Sequence, residues 1–285
     1  MEAKDSIFSA KCTLNFKGNL TRLCEPLVMG ILNVTPDSFY GASRNMEERK
    51  IKERVEQVFD EGAFIIDIGG YSSRSGADDV DPEEEIRRVT AGIKFALQVN
   101  QDAVISVDTF RATVAEAALN EGACMINDIS GGELDPAMID TAAKWNVPYV
   151  LMHMKGTPQT MAKETHYYDV FLDTLDYFQK KERRFRDAGV SDIIIDPGIG
   201  FAKNPEQSFE TLRKLSYYKV LERPLLIGVS RKSLIYKTLG VKPEEALNGT
   251  TILNMVGLIN GASILRVHDV KQAVECVKLY KKIYH

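Results

Sequence analysis

The sequence predicts an α/β fold, a (β/α)8 TIM barrel preceded by a short N-terminal β-hairpin, and three observations carry that prediction. Apolar runs of four to seven residues, almost free of charge, recur along the chain and read as strands buried on both faces. Between them lie segments whose apolar residues fall three and four apart, the spacing of helices with one buried side. The alternation repeats as eight strand–helix units with no break in composition, and such units build a parallel sheet covered on both faces. A doubly wound open sheet would use the same alternation, but the turn after the first strand lacks the GxGxxG pattern of that fold. Residues 1–285 therefore read as one domain, with 1–26 as hairpin and lead-in.

The elements follow in order. Thr13 to Phe16 alternates as a strand before the turn Lys17-Gly18-Asn19. Residues 27–32 form a buried strand that ends abruptly in Asn33, Thr35, Pro36, Asp37 and Ser38. Residues 47–61 place Ile51, Val55, Val58 and Phe59 on one helical face, and Gly62 ends that helix. A strand over 64–70 leads to a polar loop. Asp81-Pro82 then opens a helix to about Val99, aspartate as N-cap and proline in the first turn. Further strands are expected over 104–108, 124–128, 148–154, 192–196, 224–230 and 263–267. Helices are expected over 111–121, 135–145, 170–187, from Pro205, and over 233–240, 243–260 and 270–283.

Composition narrows the function classes. With 44% hydrophobic and 27% charged residues the chain has the make-up of a soluble protein with a large core. A net charge of −4 gives no electrostatic footprint for nucleic acid. No stretch nears the roughly 18 apolar residues of a membrane span, so no membrane partner is expected and the cytoplasm is. The four cysteines, Cys12, Cys24, Cys124 and Cys276, show no CxxC pair and read as free thiols.

In a barrel, chemistry sits where the strands end, at the C-terminal mouth. Those ends carry Asn33, Asp67, Asp108, Asn127, His153, Asp196, Ser230 and the Arg266–His268 pair. Asp81 and Asp135 are read as helix caps instead. Asp108, Asn127 and Asp196 supply acceptors and an amide, suited to a donor-rich heterocycle. Arg74, Arg231, Lys232, Arg266 and His268 supply cations for phosphate or carboxylate. The backbone N–H groups of residues 228–233 are a further place for an anion. Magnesium would bind through substrate oxygens and one or two protein oxygens, from Asn33 and Asp37.

As a set, these residues resemble the dihydropteroate synthase family from about residue 27 to the end. The resemblance rests on MGILNVTPDSF (29–39), DIGGYSSRSG (67–76), SVDTF (106–110), INDISGG (126–132), DPGIGFAKN (196–204), GVSRKS (228–233) and RVHDV (266–270). It implies a magnesium-dependent transferase of folate biosynthesis that joins 7,8-dihydropterin pyrophosphate to p-aminobenzoate and is blocked by sulfonamides. It further implies a homodimer through C-terminal helices.

Residue by residue, the resemblance implies that Asp108, Asn127, Asp196 and Lys232 hold the pterin ring, with Met152 among the substrate contacts. Asn33, Arg266 and His268 would hold the pyrophosphate, with Asn33 on the metal. Phe39, Ser73, Phe201 and Ser233 would take p-aminobenzoate, with Arg74 nearby. The catalytic set is then Asp108, Lys232, Arg266 and His268. Thr35 to Gly41 would form a mobile lid.

The chain departs from the family in the second loop. Tyr71 stands for an acidic or amide residue, Ser73 for threonine and Ser75 for proline, which places p-aminobenzoate and sulfonamide affinity in question. Two other readings stay open, a pterin-dependent methyltransferase acting on a corrinoid protein and a pterin-binding barrel without catalysis.

Overall fold

The computed structural model describes residues 13–34, 44–72 and 79–284. A two-stranded antiparallel hairpin, β1 (Thr13–Phe16) and β2 (Asn19–Arg22), comes first. The first parallel units are β3 (Leu27–Asn33), α1 (Arg44–Asp60), β4 (Ile65–Gly69), α2 (Pro82–Val99), β5 (Val104–Asp108) and α3 (Ala112–Glu121). Then come β6 (Met125–Asp128), α4 (Ala137–Trp145), β7 (Tyr149–Met152), α5 (Val170–Asp187), β8 (Ile193–Asp196) and α6 (Pro205–Arg213). The chain closes with β9 (Leu226–Ile227), α7 (Ser233–Leu239), α8 (Leu247–Ile259), β10 (Ile264–Val267) and α9 (Val270–Tyr284).

The eight parallel strands run β8-β7-β6-β5-β4-β3-β10-β9. A parallel bridge between Ile195 and Leu225 joins β8 to the lead-in of β9, with Ile195 N donating to Pro224 O at 2.9 Å. The sheet thus closes on itself as the expected barrel.

Alternate residues of each strand face inward or outward. The outward set packs under the helices in one large apolar layer that includes Val28, Leu32, Ile66, Ile68, Ile105 and Val107. Close approach is needed there. A Cβ on Gly30 would lie 2.6 Å from Val58 of α1 and 2.9 Å from Val270 of α9. The inward set, Met29, Ile65, Met125, Val150, Ile194, Leu226 and Ile264, fills the lower barrel. Leu14 and Phe16 of the hairpin join that cluster as a plug. Asn15 N donates to Asp192 at 2.6 Å and Lys17 Nζ to Ala103 O at 3.1 Å, which ties the hairpin to the N-terminal side of β8 and β5.

Element ends differ from expectation where side chains compete for the backbone. The strand expected over 224–230 shortens to Leu226–Ile227, because the chain turns at Val229, whose carbonyl accepts from Lys232 N at 3.2 Å. The helix expected over 243–260 splits into a 3-10 turn, Pro243–Glu245, and α8. Arg231 Nη1 takes the Pro243 and Glu244 carbonyls at 3.3 and 2.7 Å, acceptors that a continuous helix would need. Asp81 caps α2 as expected, accepting from Glu83 N and Glu84 N. Asp135 serves two helices, accepting from Ala137 N at 3.0 Å and from Ala112 N at 2.7 Å. Among the described cysteines Cys124 and Cys276 are buried free thiols, whereas Cys24 is exposed. No helix among the described residues is long and apolar enough to cross a membrane.

Candidate active site at the strand ends

Above the apolar floor the inward positions turn polar. Asp67 pairs in register with Ser106, and Gly69, Asp108 and Asn127 form one row across β4, β5 and β6. Arg266 enters from β10. Its Nε donates to Asp67 Oδ2 at 2.6 Å and its Nη2 to Asp108 Oδ2 at 2.5 Å. Asn127 Nδ2 also donates to Asp67 Oδ2, at 3.0 Å. Asp67 is the member that sequence reasoning left without a role, although an aspartate inside an apolar strand was the signal. It orients both Arg266 and Asn127.

The electrostatics follow from burial. Burial pushes the Asp108 carboxyl up to about 7, against the pull of Arg266 and with the push of Asp67. Burial also works against the Arg266 charge, but Asp67 and Asp108 outweigh it and hold the guanidinium protonated.

A second group lies beside the first. Asp196 shares a register row with Met152, and its Oδ1 accepts from Gly198 N at 2.8 Å. Burial raises its carboxyl, opposed by Lys232. Lys232, at the start of α7, donates Nζ to the Ile199 carbonyl and sits 4.4 Å from the centre of the Phe201 ring. Burial pulls its ammonium down to about 8, while Asp196 supports it. Met152, Ile129, Met154, Met161 and Ala202 form an apolar cluster against which Phe201 packs, a wall suited to a flat ring.

The remaining predicted residues fall into three sets. His268 Nδ1 lies 3.0 Å from Ser230 Oγ, which also accepts from the His268 amide at 3.1 Å, so Ser230 orients the histidine. Asn33 ends β3 opposite Gly69 and is exposed, and Ser233 opens α7, also exposed. Phe39, Ser73 and Arg74 lie outside the described residues, as do Ser75, Asp37, Cys12 and the expected lid.

The expectations for Arg231 and His153 are overturned, and that for the amides of residues 228–233 is narrowed. Arg231 does not serve the mouth, because its Nε and Nη2 grip Asp269 at 2.9 and 2.8 Å and its Nη1 the two carbonyls before α8. The amides of Arg231 and Lys232 are likewise taken, by Thr250 Oγ1 at 3.0 Å and Val229 O at 3.2 Å, so they offer no anion site. His153 faces away from the interior, since it is the neighbour of the inward Met152. Its ring packs edge-on against Tyr177 of α5 at 4.9 Å. Tyr71, the departure from the family pattern, is buried. Its hydroxyl accepts from Gln159 Nε2 at 2.6 Å, and its ring meets Phe110 edge-on at 5.2 Å.

Comparisons agree with this geometry. A family model described as pterin binding enzyme matches residues 29–268. A dihydropteroate synthase of Synechocystis is 43% identical over 255 residues, covering 88% of each chain. The structure of Xanthomonas albilineans dihydropteroate synthase with 4-aminobenzoic acid superposes with a TM-score of 0.88 at 34% identity, over 95% of this chain and 98% of that one. A Yersinia pestis dihydropteroate synthase in complex with a sulfonamide drug gives 0.88 at 37%, with the same coverage. The chain belongs to the pterin binding enzymes and, within them, to the dihydropteroate synthases, which are transferases.

Proposed function

We propose that the mouth joins 6-hydroxymethyl-7,8-dihydropterin diphosphate to p-aminobenzoate, giving 7,8-dihydropteroate and pyrophosphate for folate biosynthesis. The observation that carries this reading is the row of buried carboxyl groups at the mouth. Asp67, Asp108 and Asp196 gather there beside Arg266 and Lys232, with Lys203 behind Asp196. Acceptors concentrated in a dry site favour a ligand rich in N–H donors and a reaction in which positive charge develops.

In the reaction the bond from the exocyclic methylene to the diphosphate oxygen breaks, and its electrons leave with the oxygen. The electron-rich pterin carries the resulting positive charge beside Asp108. The arylamine nitrogen then forms the new C–N bond and releases its proton to solvent. No enzyme nucleophile is needed. Arg266 and His268 face the departing pyrophosphate, Asn127, Asp196 and Lys232 fix the pterin, and Phe201 and Ser233 meet the arylamine.

Magnesium suits the donor set. Among the described residues no three His, Cys, Asp or Glu side chains gather to cage a metal. Asn33 offers one exposed amide oxygen at the mouth, and Mg2+ held mainly by substrate phosphates needs little more. When bound it would neutralise charge on the leaving pyrophosphate.

The relatives' names favour the synthase over a corrinoid-linked methyltransferase. Pyrophosphate release from the dihydropterin diphosphate, measured with and without p-aminobenzoate and Mg2+, tests the reading. Release that requires Mg2+, with dihydropteroate formed only when p-aminobenzoate is present, supports it, and no release under any condition defeats it.

We also propose a homodimer formed through the C-terminal helices. Ile252 and Ile259 of α8 and Leu279 and Ile283 of α9 are each more than half exposed. Light scattering of the native protein, and of Ile252→Glu with Leu279→Glu, reads the state, and a wild-type monomer would dismiss it. The cytoplasm fits an exposed free thiol at Cys24.

A further inference from the structure

The turn between β8 and α6 is held in an unusual way. Gly198, Gly200 and Ala202 all take left-handed backbone angles, with φ of 67°, 78° and 46°. For Ala202 that conformation is strained. A Cβ on Gly198 would sit 2.1 Å from the His153 carbonyl, so the turn lies hard against β7. A segment this irregular persists only if its polar backbone groups find partners elsewhere.

Those partners are side chains on two sides. From the mouth, Lys232 takes the Ile199 carbonyl. From behind, the buried Lys203 Nζ donates to Gly198 O at 3.2 Å and Phe201 O at 3.3 Å. Its third contact is His153 Nδ1 at 3.0 Å. Burial, together with the nearby Lys203 and Lys155 charges, pushes His153 well below its ordinary value. The imidazole is therefore neutral and Nδ1 can accept. Burial pulls the Lys203 ammonium down to about 7 against the support of Asp196. In the protonated form its three N–H donors meet three acceptors. Tyr167 adds a fourth hold, its hydroxyl donating to Ala202 O at 2.9 Å. Lys203 contacts no substrate in the mechanism above; it stands behind the turn, and from there its charge supports the Asp196 carboxylate.

We propose that Lys203 is a positioning residue for the arylamine subsite, fixing the Gly198 and Phe201 carbonyls and through them the Phe201 ring beneath Lys232. The inference rests on the reading that Phe201 meets p-aminobenzoate. A shift of the ring would weaken that substrate most. The pterin contacts of Asp108 and Asn127 stay in place, while those of Asp196 and Lys232, which touch the turn through Gly198 N and the Ile199 carbonyl, are disturbed less.

The test uses Lys203→Met, which keeps the stem and removes the donors, and Tyr167→Phe, which loosens the same turn from its other carbonyl. Steady-state kinetics should show the KM for p-aminobenzoate raised about tenfold or more in Lys203→Met, with the KM for the pterin diphosphate raised at least about threefold less and kcat within about threefold. Tyr167→Phe should move the same constant in the same direction by less. Hydrogen exchange of the peptide spanning 197–203 should quicken in both variants, a readout that needs no activity. Unchanged exchange in a folded Lys203→Met protein, or the two KM values rising by the same factor, would overturn the proposal. If Lys203→Met does not fold, Tyr167→Phe decides by the same two measurements. A wild-type protein without synthase activity would defeat the functional reading, while exchange would still judge the clamp on the turn.

Discussion

Asp67 and Arg266 stand on strands that do not pair, with β3 between them, yet their side chains meet at 2.6 Å inside the barrel. A buried carboxylate is costly unless it is paired and hydrogen-bonded. Asp67 is both, through Arg266 and Asn127. Asp67→Asn keeps the shape and removes the charge, so it should lower unfolding free energy in urea by about 1–3 kcal/mol. Turnover should fall too, since Arg266 then leans on Asp108 alone. Unchanged stability would mean that the pair contributes nothing net.

Asp108 is expected to behave in the opposite proportion. With Asp108→Asn, Arg266 keeps Asp67 as partner, so the fold survives. The charge beside the developing cation is gone, and kcat should drop between about a hundredfold and a thousandfold. Wild-type turnover in this variant would exclude the role.

The pH profile follows from two buried groups. Asp108 acts as a carboxylate, and its raised value means that it gains a proton as pH falls through about 7. Lys232 acts as an ammonium, and its lowered value means that it loses its proton as pH rises through about 8. A plot of kcat/KM should therefore be a narrow bell with limbs near those values. Lys232→Arg should remove the alkaline limb, because arginine stays charged. A profile flat from pH 6 to 9 would contradict both assignments.

Arg231 should separate from its neighbour. Arg231→Met breaks the Asp269 ion pair and frees two carbonyls, at a cost of about 1 kcal/mol for a partly exposed group. A lowered melting temperature with both KM values intact is the expected pattern, whereas Lys232→Met should raise KM. Equal kinetic damage in the two variants would put Arg231 back at the mouth.

The barrel was legible because burial on both faces writes itself as uninterrupted apolar runs, and each inward residue then follows from alternation. Asp108, Asn127 and Asp196 could be named because each ends such a run. What could not be read depends on contacts far apart in the chain. Arg231 and Lys232 are adjacent and chemically alike, and only Asp269, on the far side of α8, decides that one is structural. His153 looked like a mouth residue because it follows a strand, but parity alone turns it outward. Asp67 stood among the strand ends from the start, but its role depends on Arg266, 199 residues away in the chain, and so no local pattern could assign it.

The hairpin also has a consequence. With Leu14 and Phe16 sealing its base, the barrel is a cup rather than a tube. Everything that enters must leave across the same rim. Under the proposed reaction, the compound seated deeper has to load before the one stacked above it. The departing pyrophosphate shares its exit with incoming traffic, so the order of events is written into the floor as much as into the walls.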